Sequence, residues 1–173
     1  LREKIGYVPQ KSVLFSGTIE SNIKYGKNAD VGDEDVQKAI EIAQAKGFIE
    51  EKENGILSEI SQGGTNVSGG QRQRLSIARA LAKRPKVYIF DDSFSALDFK
   101  TDAALRKALS EETKDKTVLI VAQRISTIMN AEKIIVLDEG KIVGMGTHKE
   151  LLKNCSVYKQ IALSQLSEEE LAI

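Results

Sequence analysis

The fold class of this chain is decided by the stretch Val87-Tyr88-Ile89-Phe90-Asp91-Asp92. In it, four apolar residues are followed directly by two carboxylates. Strands buried on both faces of a parallel sheet have this pattern, because neither face alternates with polar residues. Residues 117–122 have the same apolar character and end before the polar Gln123. We therefore expect an α/β fold in which both stretches are buried strands of one parallel sheet.

Helical patterns lie around these two strands. Asp33 can cap one helix, and Gly47 follows it as a stop signal. A second helix is predicted over residues 68–82, and a third follows Asp98. Residues 12–84 contain no convincing strand, so we expect them to form a helical insertion between a first strand and the rest of the sheet.

The final part of the chain predicts a hairpin and two helices. Residues 133–137 and 141–145 flank an acidic turn that ends in glycine, which favours two antiparallel strands. Thr147 and Glu150 then form a Thr-x-x-Glu capping box that opens a short helix. The last helix is predicted over residues 156–163, and the acidic tail after it is expected to fray.

The overall composition is that of an ordinary globular domain. The 173 residues hold 25 basic and 25 acidic side chains, so the basic excess typical of nucleic-acid-binding proteins is missing. No apolar run reaches the length of a membrane span. The single cysteine, Cys155, cannot form a disulfide within the chain, which suits a reducing compartment. We expect no membrane segment in this chain and no nucleic acid among its partners.

The strongest functional signal is the string Val67-Ser68-Gly69-Gly70-Gln71-Arg72-Gln73-Arg74. Ser68 is a good N-cap, and Gln71 stands at the third helical position of a capping box. Two glycines weaken a helix start, so their presence here requires an explanation other than helix stability. Their open backbone N–H groups, at the positive end of a helix dipole, can bind an anion, and the Ser68 hydroxyl adds a donor. The competing interpretation is a flexible loop before a helix.

The two carboxylates that end the first stretch give a second signal. In open α/β sheets, ligands bind beyond the carboxyl ends of the strands. There Asp91 can hold Mg²⁺, directly or through water, and Asp92 can position or deprotonate an attacking water. A strand that ends in an Asp helix cap would explain the same residues equally well.

Taken together, these motifs resemble the ATP-binding cassette (ABC) family. Ser68-Gly69-Gly70-Gln71 is similar to the family's signature motif, and Asp91 to its Walker B aspartate. Ser95-Ala96-Leu97-Asp98 resembles the D-loop, and Gln10 resembles the Q-loop glutamine. The resemblance runs from residue 5 to about residue 152, in the family's order and spacing.

The resemblance implies a P-loop NTPase (RecA-like) core with a parallel sheet and an inserted α-helical subdomain. Residues 1–11 are then a core strand and the Q-loop, residues 12–85 the helical subdomain, and residues 86–173 the second half of the core. ATP and Mg²⁺ are the implied ligands. The residues implied to bind ATP are Gln10, Ser68, Gly69, Gly70, Gln71 and Asp91. Gln10 and Asp91 are also implied to bind Mg²⁺, partly through water.

Two segments resemble the exporter branch of the family. Residues 14–23 are similar to the segment after the Q-loop in exporters. Residues 63–67 are similar to the exporters' coupling segment, next to which Gln62 replaces the usual acidic residue. The resemblance therefore implies transmembrane domains as partners and a place at the cytoplasmic face of the cell membrane.

A phosphate-binding loop of the pattern G-x-x-x-x-G-K-[ST] is absent from the sequence. That loop binds the β- and γ-phosphates through its backbone and its lysine. In the family it precedes the Q-loop. We therefore expect this chain to be the C-terminal part of its domain and to be inactive alone.

Two catalytic positions depart from the family. Asp92 stands where a glutamate general base is usual, and Gln123 stands at the position of the switch histidine. The shorter carboxylate reaches less far, and a neutral amide carries neither a proton nor a charge. This pattern is similar to heterodimeric exporters with one degenerate and one competent ATP site. The chain is thus expected to pair with a competent ABC domain, whose site its own signature completes.

Two other functions remain open from the sequence. A soluble ABC ATPase that acts on ribosomes or DNA would share the fold, although residues 18–23 and the balanced charge count against it. An ATP-binding regulatory half without turnover would explain Asp92 and Gln123. The only histidine, His148, lies in the capping box and is expected to be a surface residue without a catalytic role.

Overall fold

The structure is a computed structural model that describes residues 2–26 and 30–167. The strands are β1 (Ile5–Val8), β2 (Gly17–Thr18), β3 (Glu59–Ile60), β4 (Val87–Asp91), β5 (Thr117–Val121), β6 (Ile134–Asp138) and β7 (Lys141–Gly146). The helices are α1 (Ile19–Ile23), α2 (Asp33–Ile42), α3 (Lys46–Glu50), α4 (Gly69–Ala82), α5 (Phe99–Glu112), α6 (Ile125–Ile128), α7 (His148–Asn154) and α8 (Ser156–Gln165). The chain divides into two compact units, Leu1–Val121 and Ala122–Ile173, and each is described by itself.

A three-stranded parallel sheet is the centre of the first unit. β4 lies between β1 and β5, and both pairings are parallel. Tyr7 is aligned with Ile89, and Asp91 is aligned with Val121. The predicted parallel sheet is thereby confirmed, and Asp91 lies at the carboxyl end of the central strand.

Among the residues that the structure describes, β5 is not buried on both faces, contrary to the prediction. Its side chains Val118, Leu119 and Val121 are 37%, 52% and 50% exposed. In the described part of the chain β5 lies at the edge of the sheet, whereas the central strand β4 buries Tyr88 and Phe90 almost completely. An apolar run indicates that a strand can be covered on both faces, but it does not tell which elements cover it.

Helices α1 to α4 lie between β1 and β4 in the chain, as the predicted helical insertion requires. α4 packs on α1 and α2 and buries Leu75 and Ile77 fully. The buried Asn22 accepts a hydrogen bond from the backbone N–H of Phe15 (2.9 Å) and another from Arg79 Nη2 (2.9 Å). These hydrogen bonds connect residues 14–23, the segment similar to that of exporters, to α4. The domain boundaries after residues 11 and 85 stay predictions.

The helical insertion differs from the prediction in three details. β2 and β3 form a short antiparallel pair, which was missed because two residues are too few to show periodicity. Gly32 is the N-cap of α2, and Asp33 is its first residue, where a carboxylate is favourable near the positive end of the helix dipole. α2 ends at Ile42, and Gly47 lies inside α3 rather than after a helix.

The second unit is a hairpin with helices. β6 and β7 pair antiparallel as predicted, and α7 and α8 pack together. Thr147 and Glu150 form the predicted capping box at the start of α7. α8 continues to Gln165, beyond its predicted end, and residues 168–173 of the tail lie outside the described residues. Over the described ranges, no helix has the length and hydrophobicity needed to cross a membrane.

Candidate functional site

Ser68 and Gln71 close the start of α4 as predicted. The Gln71 backbone N–H donates to Ser68 Oγ (3.2 Å), and the Ser68 backbone N–H donates to Gln71 Oε1 (3.0 Å). α4 begins at Gly69 and runs for 14 residues. The N–H groups of a first helical turn lack intrahelical acceptors and lie at the positive end of the dipole. This end of α4 can therefore receive an anion.

The two glycines at this helix start have different surroundings. A Cβ atom at Gly69 would meet nothing within 4 Å, so packing among the described residues leaves this position open. A Cβ atom at Gly70 would lie 3.3 Å from the carbonyl oxygen of Ala96. Gly70 thus permits a close contact between α4 and residues 95–98. No close contact within the described chain requires a glycine at position 69. The space beside Gly69 is open, as a ligand site requires.

Arg74, one turn after Gly70, contacts both the start of α4 and the chain before it. Its Nη1 donates to the carbonyl oxygen of Gln44 (2.6 Å), and its Nε donates to that of Gly70 (3.4 Å). The guanidinium carbon lies 4.7 Å from the ring centroid of Phe48. Burial lowers the pKa of Arg74, and the nearby charge of Asp98 opposes that shift. Arg74 therefore links the start of α4 to the chain between α2 and α3.

A second group of predicted residues lies at the carboxyl edge of the sheet. Asp91 is the last residue of β4, and Asp92 follows it. The hydroxyl of Tyr7 donates to Asp91 Oδ2 (3.0 Å), and this bond raises the pKa of Tyr7 because the carboxylate disfavours the ionised phenol. The side-chain amide of Gln10 donates to Asp92 Oδ2 (3.1 Å). β1 and the residues after it thus bring one polar group to each carboxylate.

The backbone of Asp92 is left-handed, with a φ of 42°. Its N–H donates to the carbonyl oxygen of Val121 (2.8 Å), which continues the pairing of β4 with β5 by one residue. Asp adopts this conformation more readily than most residues that have a Cβ atom. The position of the second carboxylate is therefore set by a tight change of chain direction at the sheet edge.

Residues 95–98 lead from this turn into α5. Ser95 Oγ donates to the carbonyl oxygen of Asp92 (3.1 Å). Asp98 caps α5 by accepting from the Thr101 backbone N–H (2.9 Å), and this bond lowers the pKa of Asp98. Within the D-loop-like residues 95–98, Ser95 therefore contacts Asp92, and Ala96 lies close to Gly70.

Two residues of this region were missed by the sequence analysis. Ser93 is fully buried, and its hydroxyl donates to the carbonyl oxygen of Val8 (3.0 Å), which joins the end of β4 to β1. Tyr7 is the donor to Asp91. The partners are 85 and 84 positions apart, so no local pattern could have identified them.

Gln123 belongs to the second unit, whereas the sheet-edge residues belong to the first. Within its unit, its carbonyl oxygen accepts from Gln165 Nε2 (2.9 Å). Gln165 Oε1 in turn accepts from the Ile125 backbone N–H at the start of α6 (2.8 Å). Gln165 therefore fixes the chain on both sides of residue 124, and the role of Gln123 stays a prediction.

The prediction that His148 is a surface residue is wrong. Its side chain is only 6% exposed, and its Nδ1 lies 2.7 Å from the hydroxyl of Tyr158. The two rings meet edge to face with centroids 5.7 Å apart. Burial lowers the pKa of His148. The capping box identified the helix start correctly but gave no information about what packs against its first residue.

The sheet edge suits a hard cation that takes few protein ligands. Mg²⁺ prefers oxygen ligands and keeps several waters, so one or two carboxylates with substrate phosphates are sufficient. Among the described residues, no three His, Cys, Asp or Glu side chains form a larger metal-binding group. Asp91 offers a carboxylate, and Gln10 offers an amide oxygen while its nitrogen faces Asp92. This donor set fits Mg²⁺.

Comparison with known proteins identifies relatives of this chain. The model of the ABC transporter family matches residues 1–95. An uncharacterised ABC transporter ATP-binding protein of Mycobacterium tuberculosis is 48% identical over 163 residues, which cover 93% of this chain and 28% of that protein. An ATP-dependent lipid A-core flippase of Hahella chejuensis is 44% identical over 170 residues, which cover 98% of this chain and 29% of the flippase.

A solved structure is similar as well. A bacterial Atm1-family ABC exporter with ATP bound matches with a TM-score of 0.91 and 35% identity, over 96% of this chain and 29% of that one. The chain spans less than a third of the length of these relatives. The similarity confirms the predicted P-loop NTPase fold and the predicted likeness to exporters.

Proposed function

Because this chain belongs to the ABC transporter family, we propose that it is part of the nucleotide-binding domain of an exporter. In this function, ATP is held between two such domains and closes them, and hydrolysis lets them open again. The movement drives transmembrane domains at the cytoplasmic face of the membrane. The relatives that support the proposal are the flippase and the ATP-bound exporter.

The start of α4 is the observation that carries this proposal. It is capped by Ser68, open at Gly69, and in close contact with the D-loop-like residues through Gly70. A terminal phosphate of ATP that is held by a partner domain fits such a helix end, because backbone N–H groups and the helix dipole both favour an anion. The chain thereby contributes its signature to a site on the partner.

The sheet edge contributes to a second ATP site. Asp91 and Gln10 are the residues that would hold Mg²⁺, which offsets the negative charge of the phosphates. Asp92 orients the attacking water or accepts its proton. The side chain of Gln10 already donates a hydrogen bond to Asp92. A residue proposed to bind Mg²⁺ is thus hydrogen-bonded to the residue at the general-base position.

This second site is the weaker one in our proposal. Asp92 is one methylene shorter than glutamate, and a misplacement of about 1 Å at a reacting group can lower a rate roughly 10²-fold. Gln123 can donate a hydrogen bond to a phosphate oxygen but cannot carry the positive charge of a protonated histidine. Two such departures beside an intact signature support a heterodimer, in which the partner supplies the competent Walker B carboxylate and switch residue.

A regulatory half that binds ATP without turnover is the second candidate. Asp92 and Gln123 are the residues that favour it, since both lower the catalytic power of the site to which they belong. Measuring ATP turnover of the complete complex distinguishes it from the main proposal.

The proposal is tested by ATP turnover of the complete transporter with Gly69→Leu. The leucine should block approach of the phosphate and lower turnover roughly 10²-fold or more, the loss typical of removing one preorganised donor. Gly47→Leu is the matched control, because Gly47 also lies in a helix and its added Cβ atom would also meet nothing within 4 Å. It should retain nearly full turnover. Equal turnover of the two variants would overturn the proposal.

A further inference from the structure

Tyr7 is an exposed aromatic residue whose hydroxyl has a defined partner. Its side chain is 53% exposed, so packing among the described residues does not explain a large ring at this position. The hydroxyl donates to Asp91 Oδ2 over 3.0 Å. Phenylalanine would cover the same surface without this bond, so the hydroxyl is what distinguishes tyrosine here.

The register of the sheet brings the two residues together. Tyr7 is aligned with Ile89 in the parallel pairing of β1 and β4. Residues two positions apart on a strand share a face, so Asp91 lies on the face of Ile89, one step nearer to the carboxyl edge. The long side chain of tyrosine spans that step. The contact is therefore set by two neighbouring strands rather than by a loop.

We propose that Tyr7 is a positioning residue for Asp91: its hydroxyl holds one carboxylate oxygen and leaves the other to bind Mg²⁺. The inference rests on the proposed function, in which Asp91 binds that ion. Carboxylates that ligate metals are usually hydrogen-bonded themselves, and loss of such a partner lowers metal affinity roughly 10–100-fold. Tyr7 acts through Asp91 and contacts neither the nucleotide nor the attacking water.

The test uses the complete transporter with Tyr7→Phe. The partner domain's carboxylate at the position of Asp91 is replaced by asparagine, so that the signal comes from this chain's site. Binding of Mn²⁺, used as the probe for the Mg²⁺ site, is measured by electron paramagnetic resonance in the presence of ATP. ATP binding is measured separately in EDTA. The matched control is Tyr25→Phe, because Tyr25 is similarly exposed (51%) and stacks on Phe15.

Tyr7→Phe should weaken Mn²⁺ binding roughly 10-fold or more and leave ATP binding in EDTA unchanged. Tyr25→Phe should change neither, and Asp91→Asn should weaken Mn²⁺ binding further. If Tyr7→Phe binds Mn²⁺ normally while Asp91→Asn does not, the role of Tyr7 is overturned and the proposed function stands. An equal loss of ATP binding in EDTA would show a general structural role and would also overturn it. Normal Mn²⁺ binding by Asp91→Asn would overturn the part of the proposed function in which Asp91 binds Mg²⁺, and the role of Tyr7 with it.

Discussion

The side-chain nitrogen of Gln10 lies 3.1 Å from Oδ2 of Asp92, so a residue two positions beyond the first strand is hydrogen-bonded to the carboxylate after the central strand. The two residues are 82 positions apart in sequence. Gln10 resembles the family's Q-loop glutamine, and Asp92 stands at its general-base position. In the proposed function, a movement of Gln10 would therefore act directly on the carboxylate at the general-base position.

We predict that Asp92→Glu together with Gln123→His raises hydrolysis at the weak site. Glutamate restores the reach of the base, and histidine restores a group that can bear positive charge near the γ-phosphate. Neither change alone should be sufficient, because residues that act as a unit have non-additive effects. The measurement is single-turnover ATP hydrolysis by the complete heterodimer, with the partner's catalytic carboxylate replaced to silence the competent site.

Two results decide that experiment. Thermal unfolding of Asp92→Glu serves as the control, because the φ of 42° at this residue is less favourable for a longer side chain. A double variant that folds normally but hydrolyses ATP no faster than the original would show that these two residues do not limit the site.

We predict that this 173-residue chain alone hydrolyses no ATP and binds Mg-ATP weakly. Its sequence contains no G-x-x-x-x-G-K-[ST] loop, whose backbone and lysine hold the β- and γ-phosphates. Isothermal titration calorimetry of the chain, with the complete transporter as the positive control, checks this. A dissociation constant of about 1 μM or below, which corresponds to roughly −8 kcal/mol, would contradict it.

We predict that His148 makes the stability of the chain depend on pH. Burial holds its folded pKa below the ordinary value of 6.5, so the unfolded state binds more protons at pH values between the two. The neutral histidine makes its full contribution to the free energy of unfolding above pH 6.5. This contribution is lost as the pH falls through that value towards the folded pKa. The free energy of unfolding should therefore decrease on acidification.

The matched variant for this prediction is His148→Gln. Glutamine can still form a hydrogen bond with Tyr158 but does not titrate, and His148 is the single histidine of the chain. Urea unfolding from about pH 7.5 down to about pH 5 should show a smaller loss of stability for the variant. Identical pH profiles for the two proteins would contradict the prediction.

Local signals in the sequence predicted three helix starts correctly. Ser68, Asp98 and Thr147 each cap the helix that their neighbouring residues predicted, because a cap depends on residues three positions apart. The parallel pairing of the apolar strands was also predictable. The exposure of β5 was not, since an apolar pattern does not specify which elements cover a strand.

The contacts within the site were less predictable than its residues. Asp91 and Asp92 were identified from the apolar strand that they end, and Gln10 from the family resemblance, but their hydrogen bonds depend on the register between β1 and β4. Tyr7 and Ser93 were missed for this reason. The burial of His148 was missed because its partner Tyr158 comes from the next helix.

The most direct test of this account compares ATP turnover of the complete transporter carrying either Gly69→Leu or Asp92→Asn. The signature of this chain serves the competent site in our proposal, whereas Asp92 belongs to the weak one. Gly69→Leu should therefore remove nearly all turnover, by roughly 10²-fold or more, and Asp92→Asn should leave most of it. If Asp92→Asn is the more damaging change, this chain carries the competent carboxylate and the proposed asymmetry is wrong.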